Sequence, residues 1–448
     1  MEYNKHCSKE CILECIIKLL LCALTLVTLY NIFGLSNVEF YRQDSIFYVD
    51  NYEFKFVTEG RWLNLLTFNL YKYFPAWFLI FGYFLSAMLF FYLIAYNVTK
   101  VRLLSFIFAL LCINSPPFYS LLLWPVVPFS SYFMLLTLYF YRERLKQFEV
   151  FMLCGVFSFG IISNLHFLAP LIYIDKIIKQ TYKKNLILFM TWVLTFIVGF
   201  IVANAFVYLV TLIKSDSPSF IDIEAQTWRL LSNDGGSSLI YNIKYVFGVI
   251  ISDVTEGGFY FLILGFIINY RFTLKNKINL KLIAWSLLIY ISFYSSNILH
   301  GIRIDFRSVA SAFIGLSLFH LISRSKTNSI YLLLCISFFS YDNYRKIEWY
   351  SDQVDSVKER FVSFQEDLSK GGDLAIVYWN PEFYESFNLS TKDKPYGLID
   401  LNNFPLKQST PYLIEQGYDK VEVVIYDVDY TGNIRYERNE ETVHIYME

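Results

Sequence analysis

The chain has 448 residues, of which 55% are hydrophobic, 20% are aromatic and 17% are charged. A soluble fold of this length does not need so much apolar surface, so the composition predicts that lipid surrounds most of the chain. The formal net charge of -1 lacks the basic excess of a nucleic-acid-binding protein, and we expect no nucleic-acid partner.

The first predicted element is an apolar segment over residues 11–34. It is longer than the apolar core of a signal peptide, and no small-residue cleavage site follows it, so we expect a retained transmembrane helix. Cys7, Cys11 and Cys15 recur every four residues in this region, without the paired spacing or the partner cluster of a zinc site. The sequence therefore predicts free thiols, and it indicates no metal and no cofactor.

A predicted outer loop over residues 35–73 follows, and its first part, EFYRQDSIFYVDNYEF, is too polar for lipid. Candidate catalytic and substrate-binding residues are concentrated in this loop: Arg42, Asp44, Asp50, Glu59 and Arg61. The next segment, EGRWLNLLTFNLYKYF, has apolar residues at helical spacing. This spacing predicts an interfacial helix over 59–72, with an apolar face formed by Trp62, Leu65, Leu66 and Leu70 and with Arg61, Asn64, Thr67 and Tyr71 towards the other face.

A transmembrane helix, an acidic outer loop and an interfacial helix, in that order, resemble the entry of a C-type glycosyltransferase fold. More closely, Gln43-Asp44 followed by the triplet Gly60-Arg61-Trp62 is similar to the serotype-converting glucosyltransferases that modify bacterial O antigen. In that family the corresponding loop carries acidic residues, often paired, and then such a triplet. This chain departs from the pattern at Gln43, where a second acid is expected, so the resemblance implies Asp44 as the catalytic residue.

The chemistry of the implied reaction gives an independent reason for these residue types. Transfer of a sugar from a polyprenyl-phosphate carrier needs a carboxylate that takes a proton from the acceptor hydroxyl as it attacks the anomeric carbon. It also needs cations that stabilise the leaving lipid phosphate. Asp44 and Arg61 meet both needs, although ordinary loop charges are the alternative for each residue taken singly.

Ten further apolar runs approach the length of a bilayer span, so the sequence predicts a polytopic α-helical membrane protein with about eleven transmembrane helices. These runs cover residues 74–96, 102–120, 122–141, 148–163, 164–179, 185–213, 256–272, 281–299, 308–323 and 327–341.

The distribution of Lys and Arg predicts the orientation, because cytoplasmic loops carry an excess of both. With a cytoplasmic N terminus, all the basic loops fall on the cytoplasmic side. They contain Lys100 and Arg102; Arg142, Arg144 and Lys146; Lys176, Lys179, Lys183 and Lys184; Arg271, Lys275, Lys277 and Lys281; and Arg324 and Lys326. An odd number of spans then places the C terminus on the outer face, which by the resemblance is the periplasmic face of a bacterial inner membrane.

Three later segments on the predicted outer face carry further candidates. The turn HGIRIDFRS contains Arg303, Asp305 and Arg307, which could hold a phosphate because arginine binds phosphate oxygens bidentately; a salt-bridged turn is the alternative. His166 lies at a predicted hairpin tip and is a weaker candidate substrate ligand. The loop 214–256 contains a predicted second interfacial helix that could cover a lipid-carrier groove, with apolar residues Ile240, Ile243, Val246, Phe247 and Ile250.

Residues 342–448 differ in composition from the apolar domain 1–341. A polar helical pattern precedes short apolar runs, DLAIVYW and KVEVVIYDV, which predict a small extracytoplasmic α/β domain. It contains no phosphate loop or catalytic triad, and we expect a lid or a docking module.

The function expected from these observations is transfer of a hexose, glucose by the resemblance, from a polyprenyl-phosphate donor to O antigen or another surface polysaccharide. Donor, acceptor and membrane lipid are therefore the expected partners. An O-antigen polymerase is one alternative, although it would more usually have one dominant outer loop in mid-chain. A transporter or flippase is the other, and it would favour ionisable residues near the midplane and internal repeats.

Overall fold

The structure, a computed structural model, describes residues 2–36, 53–71, 73–121, 126–215, 218–221, 231, 239–273, 277–362, 368, 370–379, 413, 416–425, 434–439 and 441–447. The chain divides into two compact units. The first comprises Met1–Ile32 and Tyr52–Asn343, and the second comprises Phe33–Asn51 and Tyr344–Glu448.

The described part of the first unit is built from helices, and the first and last of them continue into the second unit. The α-helices are α1 (Glu2–Ser36), α2 (Glu53–Glu59), α3 (Trp62–Tyr71), α4 (Ala76–Thr99), α5 (Arg102–Asn114), α6 (Pro116–Ser120), α7 (Val126–Tyr141), α8 (Gln147–Ile161), α9 (Ile174–Ile177), α10 (Tyr182–Ser215), α11 (Leu239–Thr255), α12 (Phe259–Thr273), α13 (Lys277–His300), α14 (Ala310–Ser317) and α15 (Lys326–Val362). Three 3₁₀ helices, Ser163–Tyr173, Phe306–Val309 and Leu318–Leu321, complete the set.

Four described helical segments are long and apolar enough to cross a membrane: Cys11–Leu35, Trp77–Thr99, Tyr182–Lys214 and Asn279–Leu299. A fifth results if α11 and α12, which meet at 70° across a short break, form one span. The chain thus has the long apolar helices of a membrane protein, whereas the count of about eleven spans stays a prediction.

The shorter apolar elements differ from these spans in what surrounds them. The 3₁₀ helix Ser163–Tyr173 and the helical segment Phe306–Leu321 are buried over most of their length. Both are enclosed by other helices, so their apolar residues contact protein instead of lipid. An apolar run in the sequence therefore does not by itself distinguish a lipid-facing helix from an enclosed one.

Buried polar side chains join α1, α5 and α15. Asn114 Nδ2 donates to Thr28 Oγ1 at 2.9 Å, and Asn114 Oδ1 accepts from Ser340 Oγ at 3.1 Å. Asn31 Nδ2 donates to the Ser340 carbonyl, and Asn343 Nδ2 to the Asn114 carbonyl, both at 2.9 Å. Polar groups in an apolar interior need such partners, so the network fixes how the three helices pack.

One end of the helical body carries the basic residues. Arg142 is ion-paired with Asp175 at 3.1 Å, and Lys176 with Glu143 at 2.9 Å. The hydrogen bond from Lys176 lowers the pKa of the Glu143 carboxyl below its usual value. Lys281, near the start of α13, donates to the carbonyls of Ile178 and Gln180. The residues 142–146, 174–184 and 281 therefore share one end of the unit, which we call the basic end.

The second unit contains a four-stranded sheet formed by β1 (Gly372–Trp379), β2 (Tyr418–Ile425), β3 (Ile434–Asn439) and β4 (Thr442–Met447), in the order β2-β1-β4-β3. β1 pairs in parallel with β2 and β4, and β3 pairs antiparallel with β4. One face supplies buried residues, Ala375, Val377, Val443 and Ile445. The prediction of a small C-terminal sheet domain is confirmed, since both apolar runs singled out in the sequence form strands.

We expect Thr28→Val to lower the free energy of unfolding by about 1–3 kcal/mol, because it leaves a buried amide hydrogen of Asn114 without its acceptor. Thr191→Val is the matched control. Both threonines donate to the carbonyl four residues earlier, but the hydrogen bond of Thr28 is buried whereas that of Thr191 is exposed, so Thr191 should tolerate the change. Thermal unfolding of the purified variants measures the difference, and equal stabilities would contradict a stabilising role for the network.

Candidate functional site

The first unit contains a cavity of about 360 Å³, a volume within the usual range for small-molecule sites. Its polar lining consists of Thr58, Glu59, Arg61, Ser163, Asn164, Ser296, Asn297, Arg303, Asp305, Arg307 and Ser308. Its apolar lining consists of Phe159, Ile162, Phe167, Phe196, Ile197, Phe200, Ile221 and Ile302. Segments far apart in the sequence therefore meet at one concave surface.

The triplet Gly60-Arg61-Trp62 forms one edge of this cavity. Gly60 adopts a φ of 71°, a conformation that favours glycine, and a Cβ atom there would lie 2.5 Å from Ile221 Cδ1, so the end of the Ile221 side chain would have to move. Trp62 is buried and stacks on Phe206 of α10 with ring centroids 4.7 Å apart. With its two neighbours fixed in this way, Arg61 lines the cavity.

Ionic contacts hold Arg61 in place. Glu59 Oε2 forms an ion pair with Arg61 Nη2, and Glu59 Oε1 lies 3.0 Å from Lys55 Nζ. The three side chains are 7%, 15% and 8% exposed for Glu59, Arg61 and Lys55. Because both Glu59 oxygens are engaged in a nearly buried cluster, this carboxylate orients Arg61 and is poorly placed to take a proton from a substrate.

The helix predicted over 59–72 corresponds to α3, which begins three residues later than predicted and turns a different face to the core. α2 ends at Glu59 and α3 begins at Trp62, with the chain turning at Gly60 and Arg61. Trp62 faces the core while Leu66 and Leu70 are exposed. Asn64, predicted on the polar face, is buried and donates to the Ile161 carbonyl at 3.1 Å. The positive φ at Gly60 breaks the helix, which helical spacing alone does not reveal.

The loop between α13 and α14 forms the opposite edge of the cavity. Arg307 Nη2 lies 2.9 Å from Asp305 Oδ2, and the Ser308 amide donates to the Asp305 carbonyl at 2.8 Å. Arg303 is exposed, and within the described part of the chain it has no carboxylate within ion-pair distance. One arginine of this loop is thus held by an acid, and the other is available to a ligand.

Helix α11 holds this loop from outside. Tyr245 Oη accepts from the Ile304 amide at 3.1 Å, and Asn242 Nδ2 donates to the Ile298 carbonyl at 3.0 Å. Asp253 Oδ2 accepts from Tyr294 Oη at 2.6 Å. Polar side chains therefore point inward, while the opposite face exposes Ile240, Phe247 and Ile251.

This arrangement corrects the apolar face predicted for α11. Val246 is buried against the body, whereas Ile240 and Phe247 are exposed. The sequence grouped all three because apolar residues occur on both sides of the helix. Its inward side is recognisable only from the polar contacts that Asn242, Tyr245 and Asp253 make.

The apolar wall of the cavity comes from α8, the 3₁₀ helix after it, and α10. Phe159 lies with its ring centroid 4.9 Å from Phe196 and 5.8 Å from Phe200. Ile197 is 51% exposed although it lines the cavity. The wall is therefore continuous with the outward apolar face of α10, where Leu194 and Ile201 are also exposed.

The cavity and the basic end lie at opposite ends of three helical paths. From Lys146 through α8 to Ile162, from Tyr182 to Ile197, and from Lys281 to Ser296 the chain advances roughly 15 residues, or about 22 Å in an α-helix. That distance approaches the hydrocarbon thickness of about 30 Å. A membrane around the unit would therefore place the cavity near the face opposite the basic loops.

Five of the nine site residues predicted from the sequence line this cavity: Glu59, Arg61, Arg303, Asp305 and Arg307. Arg42, Asp44 and Asp50 lie outside the described residues. His166 is instead placed in the core, 1% exposed, with Nε2 2.9 Å from the Trp192 carbonyl. The hairpin tip itself is formed by Ile162, Ser163 and Asn164, and the 3₁₀ helix then turns His166 inward.

The uncharged polar residues of the cavity were not predicted from the sequence. Ser296 and Asn297 lie at the end of an apolar run, and Thr58 precedes Glu59 and the triplet Gly60-Arg61-Trp62. Only Asn164 gave a signal, because it interrupts an apolar stretch at the predicted hairpin tip. Such residues acquire a role through the meeting of distant segments, which local patterns do not show.

Comparison of the chain with protein-family models, with curated proteins and with solved structures finds no match. The function must therefore be inferred from the cavity and the sequence.

We expect Glu59→Gln to destabilise the protein by about 3–5 kcal/mol, because it removes the carboxylate charge that the nearly buried Lys55 and Arg61 share. Glu143→Gln is the matched control. Glu143 also joins a lysine and an arginine, but its side chain is 63% exposed, and exposed pairs contribute about 0–1 kcal/mol. Thermal unfolding in detergent measures both variants. Equal stabilities would show that the Glu59 cluster does not fix Arg61.

Proposed function

We propose that the chain is a membrane glycosyltransferase of the C-type architecture. It transfers a hexose, glucose by its resemblance, from a polyprenyl-phosphate donor to O antigen or another surface polysaccharide, at the outer face of a bacterial inner membrane. The observation that carries this proposal is the cavity in which three arginines and two carboxylates adjoin an apolar wall.

The arginines suit the phosphate of the donor. Arg61, Arg303 and Arg307 against Glu59 and Asp305 give the described lining a net charge of +1. Arginine offers a fork of N–H donors to phosphate oxygens, and such donors stabilise the charge that develops on a leaving phosphate. Arg303 is the best placed of the three to bind the ligand directly, since Arg61 and Arg307 each pair with a carboxylate.

The aromatic wall suits the carrier chain of the donor. Phe159, Phe196 and Phe200 supply apolar surface beside the charged residues, and Ile197 links this surface to the exposed face of α10. A ligand with a charged head and a long apolar chain can satisfy both parts of the lining at once, which neither a free sugar nor a free phosphate does.

The proposed base is Asp44, as the resemblance implies. In the reaction this carboxylate takes the proton of the acceptor hydroxyl while its oxygen bonds to the anomeric carbon. The bond from that carbon to the carrier phosphate oxygen breaks, and the arginines stabilise the released phosphate. Asp305 is the other acid available, because it is more exposed than Glu59, and it pairs with only one arginine among the described residues.

The proposed membrane arrangement has about eleven spans, a cytoplasmic N terminus and a periplasmic C-terminal domain. The separation between the basic end and the cavity supports this orientation, because lysine and arginine favour cytoplasmic loops. It also favours a transferase over a transporter, since the ionisable groups of the described cavity adjoin the end opposite the basic loops instead of a midplane site.

Cysteine-accessibility labelling tests this arrangement. Cysteines at Lys183 and Arg324 should react with a membrane-impermeant thiol reagent only after the inner membrane is opened. Cysteines at Arg303, Asp44 and Asn402 should react from the periplasm. Labelling of position 402 only from the cytoplasm would show the opposite orientation. It would then contradict a cavity on the periplasmic side, where the polysaccharide acceptor is expected.

Substitution of the base and of the phosphate ligands tests the chemistry. We expect Asp44→Asn to lower the transfer rate by about 10²-fold to 10⁴-fold, as loss of a general base typically does, without changing accumulation of the protein. Arg303→Lys should also lower the rate, because it keeps the charge but removes the bidentate fork. The assay is transfer of labelled hexose from polyprenyl-phosphate hexose to polysaccharide.

Arg144→Lys is the control for the second substitution, since Arg144 is exposed at the basic end. Activity of Asp44→Asn with loss in Asp305→Asn would move the base from the opening loop to the turn. Full activity of all three site variants at normal accumulation would refute the transferase function.

A further inference from the structure

The cavity has an uncharged polar group of residues beside its arginines, and this group bears on which ligand the proposed transferase takes. The group comprises Thr58, Ser163, Asn164, Ser296, Asn297 and Ser308. These residues come from four segments of the chain, so they are not a by-product of one polar loop. The inference below rests on the proposed function and concerns the sugar instead of the phosphate.

The carboxylates of the described lining are engaged by its own cations. Glu59 pairs with Arg61, and Asp305 pairs with Arg307. A sugar hydroxyl that must donate a hydrogen bond therefore finds few uncommitted acceptors among the charged residues. The side-chain oxygens of the uncharged group are the alternative acceptors.

Two asparagines supply these oxygens in fixed orientations. Asn297 Nδ2 donates to the Phe293 carbonyl within α13 at 2.9 Å. Asn164 Nδ2 lies 3.5 Å from the Ser308 carbonyl, across the cavity edge. Because the amide nitrogen of each residue is directed at a backbone carbonyl, its Oδ1 atom is left as an acceptor. In the described part of the chain, neither Oδ1 atom has a hydrogen-bond partner.

An amide oxygen can accept a hydrogen bond from the sugar of a sugar phosphate, but not from its phosphodiester group. A phosphodiester has no proton to donate, and its oxygens are repelled by an amide oxygen. A hydroxyl of a neutral hexose donates to that same oxygen. We infer that Asn164 and Asn297 recognise the hydroxyls of a neutral hexose, while the arginines bind its phosphate. An acidic sugar is disfavoured, because its carboxylate also offers only acceptors.

Ligand binding to the purified full-length chain tests this assignment without an activity assay. The probes are inorganic phosphate and glucose 1-phosphate, titrated by calorimetry. The wild type should bind glucose 1-phosphate more tightly. The double variant Asn164→Ala, Asn297→Ala should lose about 10-fold to 100-fold in affinity for glucose 1-phosphate, as expected for two neutral hydrogen bonds, while its affinity for phosphate stays unchanged.

Three other variants complete the design. Arg303→Lys should weaken both probes, because each contains phosphate. Asn97→Ala should weaken neither, since Asn97 contacts Tyr139 and Lys100 away from the cavity. If the double variant does not fold, Asn297→Leu alone keeps the side-chain size and should weaken only glucose 1-phosphate.

The outcomes separate this inference from the function on which it rests. The role of the asparagines would be overturned if their variants kept the preference for glucose 1-phosphate, or if they lost affinity equally for both probes. Either outcome would leave the proposed phosphate site intact. The role of the asparagines would also be overturned if the wild type bound phosphate and glucose 1-phosphate with equal affinity. A wild type that binds neither probe would overturn the proposed function too.

Discussion

The nearly buried carboxylate of Glu59, placed between Lys55 and Arg61, is the contact on which the arrangement of the cavity depends. A charge in such surroundings is tolerated only with partners on both oxygens. Those partners fix the end of α2, the turn at Gly60 and the direction of Arg61. The need to compensate the buried Glu59 charge therefore also fixes the geometry of this edge of the cavity.

An acidic side chain also positions an arginine at the other edge of the cavity. Asp305 holds Arg307, but Arg303 is exposed and has no acid within ion-pair distance in the described residues. The site therefore combines two arginines whose positions are fixed with one that can adjust to a ligand. An apolar wall beside them excludes water on one side, which strengthens electrostatic interactions within the cavity.

The sequence predicted those parts of the molecule that are set by local chemistry. Long apolar runs predicted the four or five described helices that are long enough to span a membrane, the runs DLAIVYW and KVEVVIYDV predicted strands of the C-terminal sheet, and five charged residues singled out in the sequence line the cavity. It failed where tertiary contacts decide. The helix predicted from Glu59 begins only at Trp62, because Gly60 adopts a positive φ that an α-helix does not allow. His166 faces the core because a 3₁₀ helix, which periodicity does not distinguish from an α-helix, follows the hairpin tip.

The uncharged residues of the cavity also could not be predicted from local sequence patterns. Asn164 and Asn297 are about 130 residues apart in the sequence, and each looks like an ordinary polar residue at a helix end. The role proposed for both rests on the observation that they line one cavity. The buried network around Asn114 is similar, since three helices distant in sequence supply its members.

The two sides of helix α11 differ in what they contact. Its polar side chains bond to the body of the protein, and its apolar side chains point away from it. Within the described part of the chain, the outer side of α11 is exposed at Ile240, Phe247 and Ile251. In a membrane, acyl chains would cover this side, so the loop that carries Arg303 would be held by a helix that packs against protein on one side and against lipid on the other. A change in bilayer thickness would then act on α11 directly, and it would reach that loop through the hydrogen bond between the Ile304 amide and the Tyr245 hydroxyl.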